Sequence, residues 1–426
     1  MAMSATTLLA VALAGCSGAP ATSTSGTQKV TLSLAVRAHF VDQMNTIVAQ
    51  YEKKFPNVTV TVQTLPDDNT QYLQRLVTER IGGTMPDIVE TIDSLANQLS
   101  DNKITTDIAP YLDKNENGIS AKSFLPQFLD AYKPIAEPKQ VQGVPVGADA
   151  YVLYYNKDLF AQYGVSLPTA DWTWDDMNAA SKKITQAAKG AAFGMVQTDP
   201  QQPEFNPVIK AYGGFVYDKE KQITGIGEPA AIQAWEFMLK PYQDGTYASY
   251  QIGSSPSAPT FASGKVAMLI GARKMVPTFR KQLTANWDAT SIPLLKGTRP
   301  IGGGSYGLAM TQASKQKDAA WDFLSWFFTK DGGETTMENS YQVLPPTQSG
   351  IDSGSWKTLP GPPTNVSAFS DAISNALMAA QLPKTAQGVL TTALITADQK
   401  VLLQGVSVKD AFTEAQNTVN AALKTQ

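Results

Sequence analysis

The sequence predicts an α/β protein of two lobes, each with a mostly parallel sheet flanked by helices. Two observations carry this reading. The chain has 426 residues, 43% of them hydrophobic, and single hydrophobic cores stop growing at about 250–300 residues. Its apolar pattern also switches repeatedly between a period of 2 and a period of 3.6 residues, as strands joined by helical crossovers require.

The first switch follows Lys29. Val30, Leu32, Leu34 and Val36 alternate as a strand, and Phe40, Met44, Ile47, Val48, Tyr51 and Phe55 follow at helical spacing. Val58, Val60 and Val62 resume the alternation. Tyr72, Leu73, Leu76, Val77 and Arg80 make a second helix that Gly82-Gly83 ends, and Pro86-Asp87-Ile88-Val89 opens a third strand. This is βαβαβ, hence parallel pairing with right-handed crossovers. Further on, Val152–Tyr155 reads as a strand, Trp174–Ala188 as a helix, Val266–Ile270 as a strand and Asp318–Phe328 as an aromatic-rich helix. Val408, Ala411, Phe412, Ala415, Val419 and Leu423 form the apolar stripe of a last, amphipathic helix. No internal repeat or heptad run is present.

Composition removes several function classes. A net charge of −3 and a pI near 5.4 give no basic footprint for nucleic acid or an anionic membrane surface. One cysteine excludes a disulfide framework and a cysteine-based zinc site, and one histidine, His39, excludes the histidine-rich centres of metallohydrolases. No metal, cofactor or catalytic residue is expected.

The cysteine has another use. Ala5 to Ala14 is short and apolar, and Leu13-Ala14-Gly15-Cys16 resembles the lipobox of bacterial lipoproteins. The resemblance implies cleavage before Cys16 and a diacylglycerol on its thiol, with residues 1–15 as signal peptide. Residues 16–28, almost all Ser, Thr, Gly, Ala and Pro, cannot bury enough apolar surface to fold and read as a flexible tether.

Several motifs have plain structural readings. In Tyr154-Tyr155-Asn156-Lys157-Asp158-Leu159-Phe160, Asn156 and Asp158 can cap backbone while Leu159 and Phe160 return to the core. Thr173 before Trp174-Asp175-Asp176 suits a helix N-cap followed by negative charge against the dipole. Gly302-Gly303-Gly304 lacks the Gly-Lys-Ser/Thr ending of a phosphate loop and reads as a close-packed crossover or as backbone facing a ligand. Asp113–Gly118 matches half of a calcium loop, but position twelve is Phe124 where a bidentate carboxylate is needed, so a solvated loop is expected.

In their order along the chain, Phe55-Pro56-Asn57-Val58, Met85-Pro86-Asp87-Ile88, Gly143-Val144-Pro145 with Tyr154–Phe160, and Trp172–Asp176 resemble the family 1 extracellular solute-binding proteins. Tyr212-Gly213-Gly214, Phe261–Met268, Lys317–Leu324 and Leu344-Pro345 agree with that order over roughly 400 residues. The resemblance implies a two-lobed periplasmic-binding-protein-like fold of type II joined by a hinge. Residues 29–140 with 305–342 would form lobe 1, and 141–304 with 343–426 lobe 2. It also implies a monomeric, non-enzymatic, lipid-anchored receptor at the outer face of a bacterial cell membrane. Such a receptor closes on a carbohydrate of one or a few rings and delivers it to an ABC permease.

A sugar site needs side chains that make paired hydrogen bonds and aromatic faces for the C–H patches. Open α/β sheets place ligands at the carboxyl ends of strands. By the family resemblance, such positions point to Arg37 and His39, Asp93 and Ser94, Asp149 and Tyr151, Glu204 and Phe205, Arg273, Gly303, Ser305 and Tyr306, and Trp356. Arg273 stands where related sugar binders carry a tryptophan, which favours a short, acidic or polyol ligand over a long neutral maltodextrin. Neither Arg273 nor Asp149 is expected to belong to the core. Two other classes stay open. One is the same fold holding a polyol, glycerophosphodiester, osmolyte, peptide or polyamine. The other is a secreted glycoside hydrolase, which needs two carboxyl groups about 5–9.5 Å apart and has no local signature here.

Overall fold

The computed structural model describes residues 29–196, 202–253, 255, 257–340, 342–358 and 360–425; the expected signal peptide, Cys16 and the expected tether lie outside them. Among the described residues eleven strands follow in order: β1 Val30–Arg37, β2 Val58–Leu65, β3 Ile88–Ile92, β4 Val144–Ala150, β5 Val152–Asn156, β6 Phe193–Met195, β7 Tyr217–Asp218, β8 Ile223–Thr224, β9 Val266–Gly271, β10 Trp287–Thr290 and β11 Gly303–Met310. They form a first sheet in the order β2-β1-β3-β11-β4 and a second in the order β10-β5-β9-β6, with β7 and β8 as a small hairpin. These two sheets organise two lobes.

The expected βαβαβ unit is present, with β1 parallel to both β2 and β3. Both faces of this sheet are covered, as helical crossovers between parallel strands bring about. Leu32, Leu34 and Val36 face a core with Ile47, Tyr51, Phe323 and Trp326 from the helices Val41–Lys54 and Lys317–Phe327. Ala35 and Val89 face Tyr72, Leu76 and Leu99 from the helices Asn69–Gly82 and Asp93–Asp101 on the other side. Tyr51 meets Phe323 edge-on at 5.0 Å and Trp326 at 4.9 Å, contacts that add about 0.5–1.5 kcal/mol each beyond burial. The helix Asn69–Gly82 starts where Asp68 accepts the Gln71 N–H and stops at Gly83, whose φ of +70° suits glycine.

Parallel pairing does not extend through either sheet. Strand β11 runs antiparallel to β3 and β4, and β5 runs antiparallel to β9 and β10, leaving β6–β9 as the parallel pair of the second sheet. The sheets are therefore mixed, not mostly parallel. Crossing is the reason: β4 passes to β5 through Tyr151 alone, and β11 returns from the second sheet to the first, so strands entering by a crossing run against their hosts. Val144–Ala150 also pairs in the first sheet, against the expected cut at residue 140. A third crossing is pinned where Ala148 and Leu344 exchange backbone hydrogen bonds of 2.8 and 2.7 Å.

The second lobe packs its sheet and helices around one large core. Trp235 stacks on Phe412 at 4.2 Å and 17°, which docks the C-terminal helix Val408–Leu423. Asn156 accepts the Asp158 and Leu159 N–H groups, and Thr173 forms a reciprocal capping box with Asp176, as their spacing predicts. The half calcium loop is a helix end in which Asn117 donates to Ser325 Oγ at 2.8 Å, and no cluster of three metal-ligating side chains occurs among the described residues. No described helix is long and apolar enough to cross a membrane.

Candidate functional site

The crossing strands place charge where both lobes meet. Asp93 begins a helix at the end of β3, and Asp149 is the next-to-last residue of β4, opposite Gly304 of β11. Cross-strand partners share a face, and a Cβ added at Gly304 would stand 3.6 Å from Asp93 Oδ2. The two carboxyls therefore flank a glycine that leaves room between them. Both are almost fully buried, at 8% and 4% exposure.

Burial pushes the Asp93 carboxyl up to about 7, against the pull of the Ser94 N–H and the Lys274 and Arg37 charges. Burial likewise pushes Asp149 up to about 7, opposed by Lys274 and by the Arg273 N–H, which donates to Asp149 Oδ1 at 2.9 Å. Lys274 is exposed, and its charge acts on both acids. Tyr151 and Tyr306 complete the group. Burial raises both phenols, and the charges of Asp149 and Asp93 raise them further, with Glu204 acting on Tyr151 and Glu90 on Tyr306. Such a group offers acceptors for hydroxyls, phenolic donors and two aromatic rings, the inventory that a polar ring-shaped solute requires.

Other expected positions have structural tasks. Arg37 is 4% exposed and gives its guanidinium to Glu90 at 2.6 and 3.1 Å and to Asn69 at 2.8 Å. The Glu90 charge and hydrogen bond hold this arginine's pKa up although burial opposes them. His39 lies at the surface with Nδ1 2.7 Å from Asp67 Oδ1, at the rim beside Tyr306, whose ring is 6.1 Å away. Ser94 donates its N–H to Asp93 Oδ1 at 2.8 Å, and Ser305 shares a buried hydrogen bond of 2.8 Å with the Tyr132 hydroxyl.

Phe205, Arg273, Gly303 and Trp356 require correction. Phe205 packs on Trp235 at 5.1 Å in the second core. Trp356 is fully buried. Arg273 lies with its guanidinium 5.3 Å from the rings of both Trp356 and Phe369, where desolvation lowers its pKa to about 10. It is a core residue, so the cation expected to face the ligand does not. A Cβ at Gly303 would meet that of Ala376 at 2.6 Å, and one at Gly302 would stand 1.7 Å from Pro203 O. These glycines are close-packed crossover, the first of the two readings open from sequence. Glu204 opens the helix Gln202–Ala211 and shares with Tyr151, Trp174, Asn178 and Phe237 a narrow recess of the second lobe. Lys274 was missed, although it adjoins Arg273 in sequence.

Residues 37–334 match the model of the bacterial extracellular solute-binding protein family. Among curated relatives, a binding protein of Brucella abortus is 27% identical over 300 residues, 66% of this chain and 67% of that one. The maltodextrin-binding protein of Bacillus subtilis is 24% identical over 360 residues, 80% of this chain and 79% of that one. Among solved structures, an ABC substrate-binding protein of Listeria monocytogenes in complex with cycloalternan superposes with a TM-score of 0.78 at 22% identity, covering 93% of this chain and all of that one.

Proposed function

We propose, from the premise that this chain belongs to the bacterial extracellular solute-binding proteins, that it captures a short saccharide between its lobes for an ABC importer. The observation that carries this reading is the buried pair Asp93 and Asp149, brought from different elements to either side of Gly304 and faced by Tyr151 and Tyr306. A ligand held there touches both lobes, so it binds the closed form better and shifts the population toward closure. The transmembrane subunits then read the closed shape, and no bond of the solute is made or broken. A lipid on Cys16 would hold the receptor at the outer face of the cell membrane.

Names of relatives support a saccharide. Besides the maltodextrin-binding protein, an arabinooligosaccharide-binding protein of Halalkalibacterium halodurans shares 22% identity over 299 residues. With Arg273 buried, Lys274 is the cation left for an acidic sugar.

A thermal-shift panel of neutral, acidic and amino sugars, polyols, glycerophosphodiesters, peptides and polyamines tests the reading. A tight ligand at 100 times its dissociation constant adds about 2.7 kcal/mol to native stability. Stabilisation by saccharides of one to four rings is expected; stabilisation by a peptide or polyamine alone would replace the sugar, and release of reducing sugar would overturn the transport role.

A further inference from the structure

The recess that Glu204 shares with Tyr151 and Trp174 lies at the carboxyl end of the second sheet. The helix Trp174–Ala188 leads into β6 through a short turn and packs back on it: the Gly194 N–H donates to Thr185 Oγ1 at 2.9 Å, and a Cβ added at Gly194 would stand 2.3 Å from Ser181 Cα. Helix and strand therefore run in opposite directions. Trp174, seven residues before Ser181, stands about 10 Å further along, past the end of β6. Strand β9 runs parallel to β6, so this is also the end at which Arg273, just after β9, gives its N–H to Asp149. The first turn of the helix lies on the same side of the sheet's end as the lobe junction.

Trp174 is firmly held there. Its backbone N–H donates to Leu294 O at 3.0 Å, the Thr173 capping box fixes the helix start, and its ring lies 5.5 Å from that of Phe237 in the helix Pro229–Gln243. Its indole N–H, by contrast, is buried and has no acceptor among the described residues. A buried donor is costly to leave unpaired, which marks the indole as waiting for an oxygen. Trp174 lines the recess, and the Tyr151 phenol, which lines it too, feels the charges of both Glu204 and Asp149. The mouth of the recess is therefore beside the acidic pair. Its free volume is about 20 Å³, enough for one water-sized group and too small for a sugar ring.

A hydroxyl on a single carbon meets these demands. Its oxygen accepts from the Trp174 indole, its proton goes to the Glu204 carboxylate, and its CH₂ lies against Phe237 and Met238 on the recess wall. We propose that the recess receives the exocyclic hydroxymethyl group of a hexose ring held at Asp93 and Asp149, so that the receptor selects hexoses over pentoses and 6-deoxy sugars. The proposal rests on the reading that the solute is a saccharide. A pentose leaves the indole unpaired, and a 6-deoxy sugar buries a methyl group against Glu204. Sites built to hydrogen-bond a hydroxyl reject the analogue that lacks it far more strongly than apolar pockets reject a missing methylene.

The test titrates the full chain calorimetrically with sugars that differ only in their hydroxymethyl groups: D-glucose and D-xylose, D-galactose with L-arabinose and D-fucose, and cellobiose and xylobiose. In whichever set binds, the hexose member should bind about tenfold or more tighter than its analogues. Trp174→Phe keeps a ring in place and removes the N–H; it should weaken the hexose and leave the pentose unchanged, narrowing the gap to about threefold or less. The Trp174 indole signal in a ¹H–¹⁵N spectrum, assigned by its loss in that variant, should move on titration with the hexose and stay in place with the pentose. Equal affinities within a set in the parent overturn the recess site, a comparison that needs no variant. So does a gap that Trp174→Phe leaves unchanged, or an equal loss for both members, which would make Trp174 scaffold only. Failure of every sugar in these sets also removes the recess site, and only failure of the whole thermal-shift panel of saccharides removes the saccharide reading with it.

Discussion

Asp149 accepts the backbone N–H of Arg273 at 2.9 Å, so the end of a first-sheet strand holds the turn that follows β9 in the second lobe. The hydrogen bond crosses between the lobes at their junction, and it leaves the two side chains with opposite tasks. The carboxyl stays at the lobe junction opposite Gly304, while the guanidinium turns inward to Trp356 and Phe369.

Arg273→Ala should therefore lower stability, contrary to what its position in the sequence suggests. Removing the guanidinium leaves a void beside two buried rings, a change expected to cost about 2–4 kcal/mol. Chemical denaturation of the unliganded variant checks this; an unchanged midpoint would return Arg273 to the cleft.

Glu90→Gln should be equally damaging. Arg37 and Glu90 are buried together, and breaking a buried pair by removing one charge typically costs about 3–5 kcal/mol. Loss of ligand affinity with full stability in the Glu90 variant would instead identify Arg37 as a binding residue.

Stability should fall as pH rises through the range that titrates Glu334. Its carboxyl accepts the Thr347 hydroxyl at 2.7 Å, and burial, aided by the Glu338 charge, pushes it up to about 7 from an ordinary value of 4.5. Between those values the native state binds more protons than the unfolded state, so the proton's contribution is complete below about 4.5 and gone above about 7. Relative to Glu334→Gln, the parent should lose about 1–3 kcal/mol across that window. Parallel stability curves for the two proteins would show that Glu334 does not titrate there.

Much of the scaffold was legible because alternation and helical spacing report which faces are buried. Val30–Val36 and the helices Trp174–Ala188 and Val408–Leu423 needed nothing else. Strand direction was less legible, since Val144–Ala150 and Gly303–Met310 carry no mark of the sheet that receives them after a crossing. Asp93 and Asp149 were legible as candidates because each lies close to the carboxyl end of a strand. The Arg37–Glu90 pair was not legible because its members lie 53 residues apart, nor was the burial of Trp356, because an aromatic residue shows its size in sequence but not its depth.

Lys274→Met tests the electrostatics of the cleft. The Lys274 charge pulls down two carboxyls that burial has raised to about 7, and its removal must raise both further. Ionised carboxylates accept sugar hydroxyls more strongly than neutral acids do, so affinity in the parent should rise as pH increases through about 7. In the variant the same rise should occur at higher pH, by up to about one pH unit, because an exposed ammonium is screened by water. At neutral pH the variant should then bind a neutral sugar more weakly, and recover much of the difference above pH 8. An acidic sugar would behave differently, losing affinity at every pH because its own charge has lost its counter-ion. Calorimetric titrations from pH 5 to 9 with the best neutral and acidic ligands separate these outcomes, and pH profiles that superimpose for parent and variant would remove Lys274 from the site.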